Sequence, residues 1–164
     1  MKHVYVLRHA KAVPDDPGGD HARPLAAKGR RQAADLPAAV AAAEDAGAKP
    51  PAVILTSSAV RARQTAEAVA GAHPAARLLV EGGLYQADAD DIVDRLRLVD
   101  EDAAAAMVVG HNPALLDLVL LLLEPAERAA VDRFPTAALA VVALPAERWA
   151  RLGTATGHLI RLTP

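Results

Sequence analysis

Four side chains in this 164-residue sequence are suited to handling an anion, and each follows closely on an apolar run. Arg8 and His9 come directly after Val4-Tyr5-Val6-Leu7, and His111 comes after Met107-Val108-Val109-Gly110. Arg61 falls in the first turn of a helical segment that begins just beyond Ala52-Val53-Ile54-Leu55. An arginine offers forked donors that match spread oxygen charge, and a neutral imidazole is a nucleophile. A lone histidine at a strand end is more often structural than reactive, so His9 takes its meaning from its company. Two histidines and two arginines converging on one point would bind a dianion such as a phosphoryl group. Cationic neighbours would also keep the attacking imidazole neutral by disfavouring a further positive charge. Phosphoryl transfer asks mainly for positioning and charge stabilisation, which these residue types supply.

The elements that must bring them together follow from the apolar patterning. Strands are expected at Val4–Leu7, Ala52–Leu55, Leu78–Val80, Met107–Val109, Leu139–Leu144 and Leu159–Leu162. Helices are expected from Ala26 toward Gly47, over Val60–Ala70 with Gly71 as a stop, over Asp88–Leu98 and over Pro113–Leu123. Pro37 should kink or divide the first of these, because it lacks a backbone donor and crowds the preceding turn. Ala146–Leu152 is also helix-like. Strand and helix alternate four times, and the strands are almost continuously apolar. That pattern predicts an α/β fold of three αβα layers around a mainly parallel sheet, with one late strand antiparallel at an edge.

Ligands of such open sheets bind beyond the carboxyl ends of the strands. The rule selects Arg8-His9, Ser57-Ser58, Glu81-Gly82-Gly83 and Gly110-His111-Asn112. Ser57 or Ser58 is expected to cap the second helix, so that Arg61, Gln64 and Thr65 share one face. Asn112-Pro113 reads as cap and first position of the fourth helix, which places His111 beside an anion-favouring helix start.

These residues resemble the histidine phosphatase superfamily. The likeness is carried by Leu7-Arg8-His9-Ala10, by Ser57-Ser58-Ala59-Val60-Arg61-Ala62-Arg63-Gln64-Thr65 and by Gly110-His111-Asn112-Pro113. Arg23-Pro24-Leu25 with Gly29 and Gln32, together with Leu84-Tyr85-Gln86-Ala87 and the short chain, look like the compact SixA-type phosphohistidine phosphatases. The resemblance implies that His9 is the nucleophile, that Arg8 and Arg61 grip the phosphoryl oxygens, and that His111 is a further donor. By position, Glu81 is the candidate general acid; Arg23, Ser57 and His21 are candidate phosphate or substrate contacts. The resemblance implies neither metal nor cofactor. It implies a substrate that is phosphohistidine on a phosphotransfer or phosphocarrier protein, with a small phosphoester as the alternative. A phosphate-binding module without turnover is a reading of another class, and retention of all four central residues argues against it. The pattern departs at Ala26, where the family often has a hydroxyl. It departs again at Ser58 and Ala59, where proline and leucine are frequent, which bears on local packing rather than on Arg61.

Composition sets the remaining bounds. At 52% hydrophobic and 23% charged, the chain suits a single domain over 1–164, with a core of small aliphatics because aromatics make up 2%. Without cysteine there is no disulfide, thiolate chemistry or cysteine-based zinc site. The net charge of -2 gives no reason to expect nucleic acid or an anionic membrane as partner. No leader pattern opens the chain, and the longest greasy run, Ala114–Leu123, is broken by Asp117 and too short to span a bilayer. A cytoplasmic monomer is the expectation. His3, His21, His73 and His158 lack metal-ligand spacing and read as structural, His21 alone lying in a loop near the proposed site. Arg23, Lys28, Arg30 and Arg31 form a basic stretch that reads as a solvated helix face, and Asp88–Asp94 reads as an acidic helix start.

Overall fold

A computed structural model describes all 164 residues. Six strands form one sheet: β1 (Lys2–Arg8), β2 (Val53–Ser57), β3 (Arg77–Glu81), β4 (Ala105–Gly110), β5 (Leu139–Leu144) and β6 (His158–Thr163), in the spatial order β3-β2-β4-β1-β5-β6. The first four run parallel. β5 is antiparallel to β1, and β6 is antiparallel to β5, so the antiparallel pairing is confined to one side of the sheet.

Period-two alternation assigns each strand residue to a layer. Tyr5, Leu7, Ile54, Met107 and Val109 face α1 (Ala27–Asp45) and α2 (Val60–Ala72). Val4, Val6, Leu55, Ala106 and Val108 face α3 (Ala89–Leu96) and α4 (Ala114–Leu122). Buried alanines, among them Ala33, Ala43, Ala62 and Ala66, line the α1–α2 side and replace the bulk that aromatics would bring. The lone tryptophan, Trp149, is fully buried on the other side and donates its indole N–H to Ala103 O at 2.8 Å.

Several local expectations change. Helix α1 runs through Pro37 without a break, because its buried stripe Gly29, Ala33, Leu36, Val40, Ala43 packs continuously on both sides of the proline. It ends as expected at Gly47, whose φ of 101° suits glycine, with Gly47 N–H bonded to Glu44 O and Ala48 N–H to Ala43 O. Gly71 does not stop α2; the helix reaches Ala72 and is closed by His73, whose ring bonds Val69 O and Glu44. Asp88 caps α3 in a reciprocal box with Asp91, as the acidic stretch suggests. The Ala146–Leu152 segment reduces to a single 3-10 turn at Trp149–Arg151. No helix is long and apolar enough to cross a membrane.

Register is what matters for the site. Arg8 lies opposite Gly110, Thr56 opposite Val109, and Ser57 opposite Glu81. The carboxyl ends of β1, β2 and β4 therefore finish nearly level, with His9 and His111 one step beyond them.

Candidate active site

His9 is held by its backbone neighbours before any ligand is considered. Its N–H donates to Gly110 O at 3.0 Å, and Ala137 N–H donates to its carbonyl at 3.1 Å. The next residue, Ala10, donates its N–H to Thr65 Oγ1 at 3.0 Å, and Thr65 in turn donates to Arg61 O at 2.7 Å. One hydroxyl thus couples the loop after β1 to the first turns of α2. Two amide side chains anchor the same region, Lys11 N–H donating to Gln32 Oε1 and Leu25 N–H to Gln64 Oε1. Gly29 lets α1 approach this loop, because a Cβ there would stand 1.9 Å from Lys11 O.

The imidazole of His9 is only 8% exposed. Its Nδ1 lies 2.7 Å from Ala10 O. A carbonyl only accepts, so Nδ1 carries the proton and Nε2 presents a lone pair. Arg61 Nε donates toward that lone pair at 3.3 Å. Burial, reinforced by the charges of Arg61, Arg8 and Arg23, lowers the His9 pKa to about 4 against the pull of the Ala10 bond, so the ring is neutral at pH 7.

His111 sits with its ring centroid 5.2 Å from that of His9. Arg61 Nη2 lies 3.4 Å from His111 Nδ1; a guanidinium only donates, so Nδ1 accepts and Nε2 donates to Ser57 Oγ at 2.8 Å. Desolvation, then the proximity of His9 and Arg61, lowers the His111 pKa to about 3. Arg8 donates Nη1 to Phe134 O at 3.1 Å, which fixes the guanidinium, while its Nε is buried without a protein partner. The structure thus brings His9, Arg8, Arg61, His111 and Ser57 together.

Neither serine caps α2: Ser57 Oγ serves His111 and accepts from Ala59 N–H, Ser58 Oγ bonds His21 Nε2 at 2.8 Å, and Ala59 takes the cap position with no side-chain bond. Asn112 does not cap α4 either. Its Nδ2 donates to Phe134 O at 2.7 Å, and Pro113, after a cis bond, occupies the cap.

Glu81 stays outside the cluster. Both of its oxygens are taken by Arg95, with Nε at 2.9 and 2.8 Å and Nη2 at 2.5 Å, and it makes no bond to His9, His111 or Arg61. The carboxylate that does reach the cluster is Asp20. It accepts from Arg61 Nη2 at 3.1 Å, from Arg23 Nε at 3.0 Å and from the Tyr85 hydroxyl, while its backbone oxygen accepts from Arg61 Nη1 at 2.8 Å. The Tyr85 bond foremost, then Arg23 and Arg61, hold its pKa far below the usual carboxylate range. Tyr85 also sets its ring edge-on to His21 at 4.9 Å and to His111 at 5.6 Å. Among turn-forming aspartates, Asp20 carried one local signal, its spacing of three from Arg23. Tyr85 carried none beyond the family likeness. No three His, Asp or Glu side chains come together to hold a metal ion.

Comparison with known proteins decides the family. The model of the histidine phosphatase superfamily, branch 1, matches residues 4–95, which contain His9 and Arg61. The chain belongs to the histidine phosphatase superfamily. An uncharacterized protein of Mycobacterium tuberculosis is 35% identical over 158 residues, covering 88% of this chain and 90% of its own. A crystal structure assigned as the phosphohistidine phosphatase SixA of Agrobacterium tumefaciens is 27% identical, with TM-score 0.79 over 99% of this chain and 97% of that one. A protein assigned as SixA of Nakamurella multipartita shares the fold with TM-score 0.85 at 24% identity, covering 99% and 95%. Within the superfamily this chain is of the SixA type, and it is a phosphatase.

Proposed function

We propose that this histidine phosphatase forms a phosphohistidine intermediate on His9 and acts on phosphohistidine carried by a protein, a phosphotransfer or phosphocarrier domain. The observation that carries the reading is the tautomer of His9: a buried, neutral ring whose proton is committed to Ala10 O and whose unprotonated Nε2 accepts only from Arg61, the residue the phosphoryl group would engage.

In the first step the Nε2 lone pair of His9 attacks phosphorus and the bond to the leaving nitrogen breaks. Arg8, Arg61 and His111 take the phosphoryl oxygens; His111 takes a proton from solvent as the group binds, so that Nδ1 turns from acceptor to donor, and returns it when phosphate leaves. The incoming phosphoryl group, a monoanion on arrival, must displace Asp20 from Arg61. A carboxylate stripped of that partner and set beside a phosphoryl group rises in pKa. Asp20 then accepts the proton of the incoming phosphoryl monoanion and delivers it to the leaving group. Water attacks the phosphohistidine in the second step and gives its proton to Asp20; phosphate leaves, His9 recovers its lone pair, and Asp20 sheds the proton to solvent as it pairs with Arg61 again. Arg23 and Tyr85 hold Asp20 throughout, and His21 with Ser58 borders it.

Two features favour a protein substrate. Only seven residues separate β3 from α3, so no long insertion roofs the site. A cavity of about 240 Å³ beside His111 is lined by Tyr85, Gln86, Asp88, Asn112 and Asp117, and its two charged residues are carboxylates. That lining disfavours a polyanionic metabolite. A small phosphoester remains the second reading, and comparing kcat/KM on phosphorylated carrier protein with that on small phosphoesters separates the two. Labelled phosphate trapped on the protein should be acid-labile and should vanish in His9→Ala; acid-stable label, or label that persists in the variant, sinks the nucleophile.

A further inference from the structure

The two edges of the sheet are built differently. At β6 the pairing with β5 is interrupted by a bulge between Val141 and Val142, and Arg161 and His158 stand on the strand. Bulges and charges of this kind blunt an edge against pairing with another chain. At the other edge β3 pairs only with β2, in unbroken register from Val53–Arg77 to Ser57–Glu81. Arg77 N–H donates inward to Ala52 O at 3.0 Å. In a strand, alternate residues turn their N–H and C=O to opposite sides, so Arg77, Leu79 and Glu81 face β2 while Leu78 and Val80 face outward.

From this edge we infer that the chain forms a dimer with a second copy of itself through antiparallel β3–β3 pairing, centred on Leu79, which joins the two sheets into one of twelve strands. The sequence Arg77-Leu78-Leu79-Val80-Glu81 is self-complementary under that two-fold. Leu78 lies opposite Val80 of the partner subunit, a hydrogen-bonded pair on each side of the axis, so the four outward N–H groups all find carbonyls. Leu79 meets its own copy, and Arg77 lies opposite Glu81 of the partner subunit, both as the closer non-hydrogen-bonded pairs. Sliding the register by two residues would separate these charges.

The surroundings fit the same occupant. Val80 is 53% and Leu98 76% exposed, two of the three large apolar side chains left in solvent, and both border this edge. A groove of about 480 Å³ runs beside it, floored by Val53, Leu79 and Val99 and rimmed by Arg77, Arg95 and Asp100. Arg95 binds Glu81 but has its Nη1 buried without a partner, and Arg77 holds Asp100 at 2.6 Å. Pairing would extend these two ion pairs into a ladder across the axis. Glu81 leads within four residues to Tyr85, so the interface would also steady the segment that reaches the active site.

The proposal departs from the monomer expected of the sequence, and sedimentation with amide hydrogen exchange across micromolar concentrations tests it. The wild-type chain should show a concentration-dependent monomer–dimer equilibrium, with the Leu78 and Val80 amides protected in the dimer and released on dilution. Arg77→Glu sets like charges across the axis and should yield a folded monomer whose circular dichroism matches that of the wild-type chain; Val80→Lys, which leaves the Arg77–Asp100 pair intact, provides the same test from the opposite face of the strand. A wild-type chain that sediments as a monomer throughout overturns the proposal. So does a dimer whose Leu78 and Val80 amides exchange as freely as those of the monomer, or one that survives both substitutions.

Discussion

At the scale of single residues, the pKa values of the two histidines dictate how activity responds to acid. An isolated imidazole loses nucleophilicity below pH 6.5, whereas His9 remains unprotonated down to about 4. The kcat/KM of the free enzyme, corrected for ionisation of the substrate, should therefore stay level from pH 7 to about 5 and fall only near 4. An acid limb centred at 6.5 would show that the lone pair of His9 is not protected as described. Asp20 makes a second residue-scale prediction. In Asp20→Asn the charge that competes for Arg61 is gone, so inorganic phosphate should inhibit more strongly. Loss of the proton source should slow esters with poor leaving groups by on the order of 10²-fold while barely touching activated ones. Equal slowing of both classes would remove Asp20 from proton transfer.

At the scale of elements, the site depends on how closely α1 and α2 press against the loop after β1. Gly29→Ala places a methyl group inside the backbone of Lys11. Since backbone cannot step aside as a flexible side chain can, we expect a loss of about 1–3 kcal/mol, measured by urea unfolding, together with a lower kcat as the loop carrying His9 shifts. The order of strands and helices was legible from apolar periodicity, and so was the convergence of Arg8, His9 and His111, because the strand-end rule is a property of topology; Arg61 followed from its place in the first turn of the second helix. What periodicity could not reveal was partner choice among polar side chains. Ser57 and Asn112 are good caps by type, yet tertiary partners, His111 and Phe134 O, claim them. Glu81 was the right distance along the chain from the third strand, but its pairing depends on Arg95, fourteen residues on and one helix away. Asp20 joins the site only because a loop rich in turn residues folds back onto Arg61, a contact with no local periodicity to announce it.

At the scale of the molecule, a buried neutral histidine links folding to pH. An unfolded imidazole takes its proton near 6.5 and folded His9 only near 4. Between those values the unfolded state binds more protons, so stability is complete above the interval and declines as pH falls through it. For His9 the difference is on the order of 3 kcal/mol. Urea unfolding followed from pH 7 to 4 should show this slope, and His9→Gln should reduce it, the buried His111 supplying the remainder; an unchanged slope in the variant would assign the effect elsewhere.

Trp149 stands beside Lys2, whose ammonium lies 5.5 Å from the indole ring, at the amino end of β1. The catalytic cluster stands at the other end of that strand, roughly 20 Å away at about 3.3 Å per residue. Tyr85, meanwhile, touches the site directly. Indole emission is accordingly a reporter of global unfolding that is blind to substrate, whereas changes on loading the site belong to the phenol ultraviolet bands. The chain carries separate optical probes for its two halves.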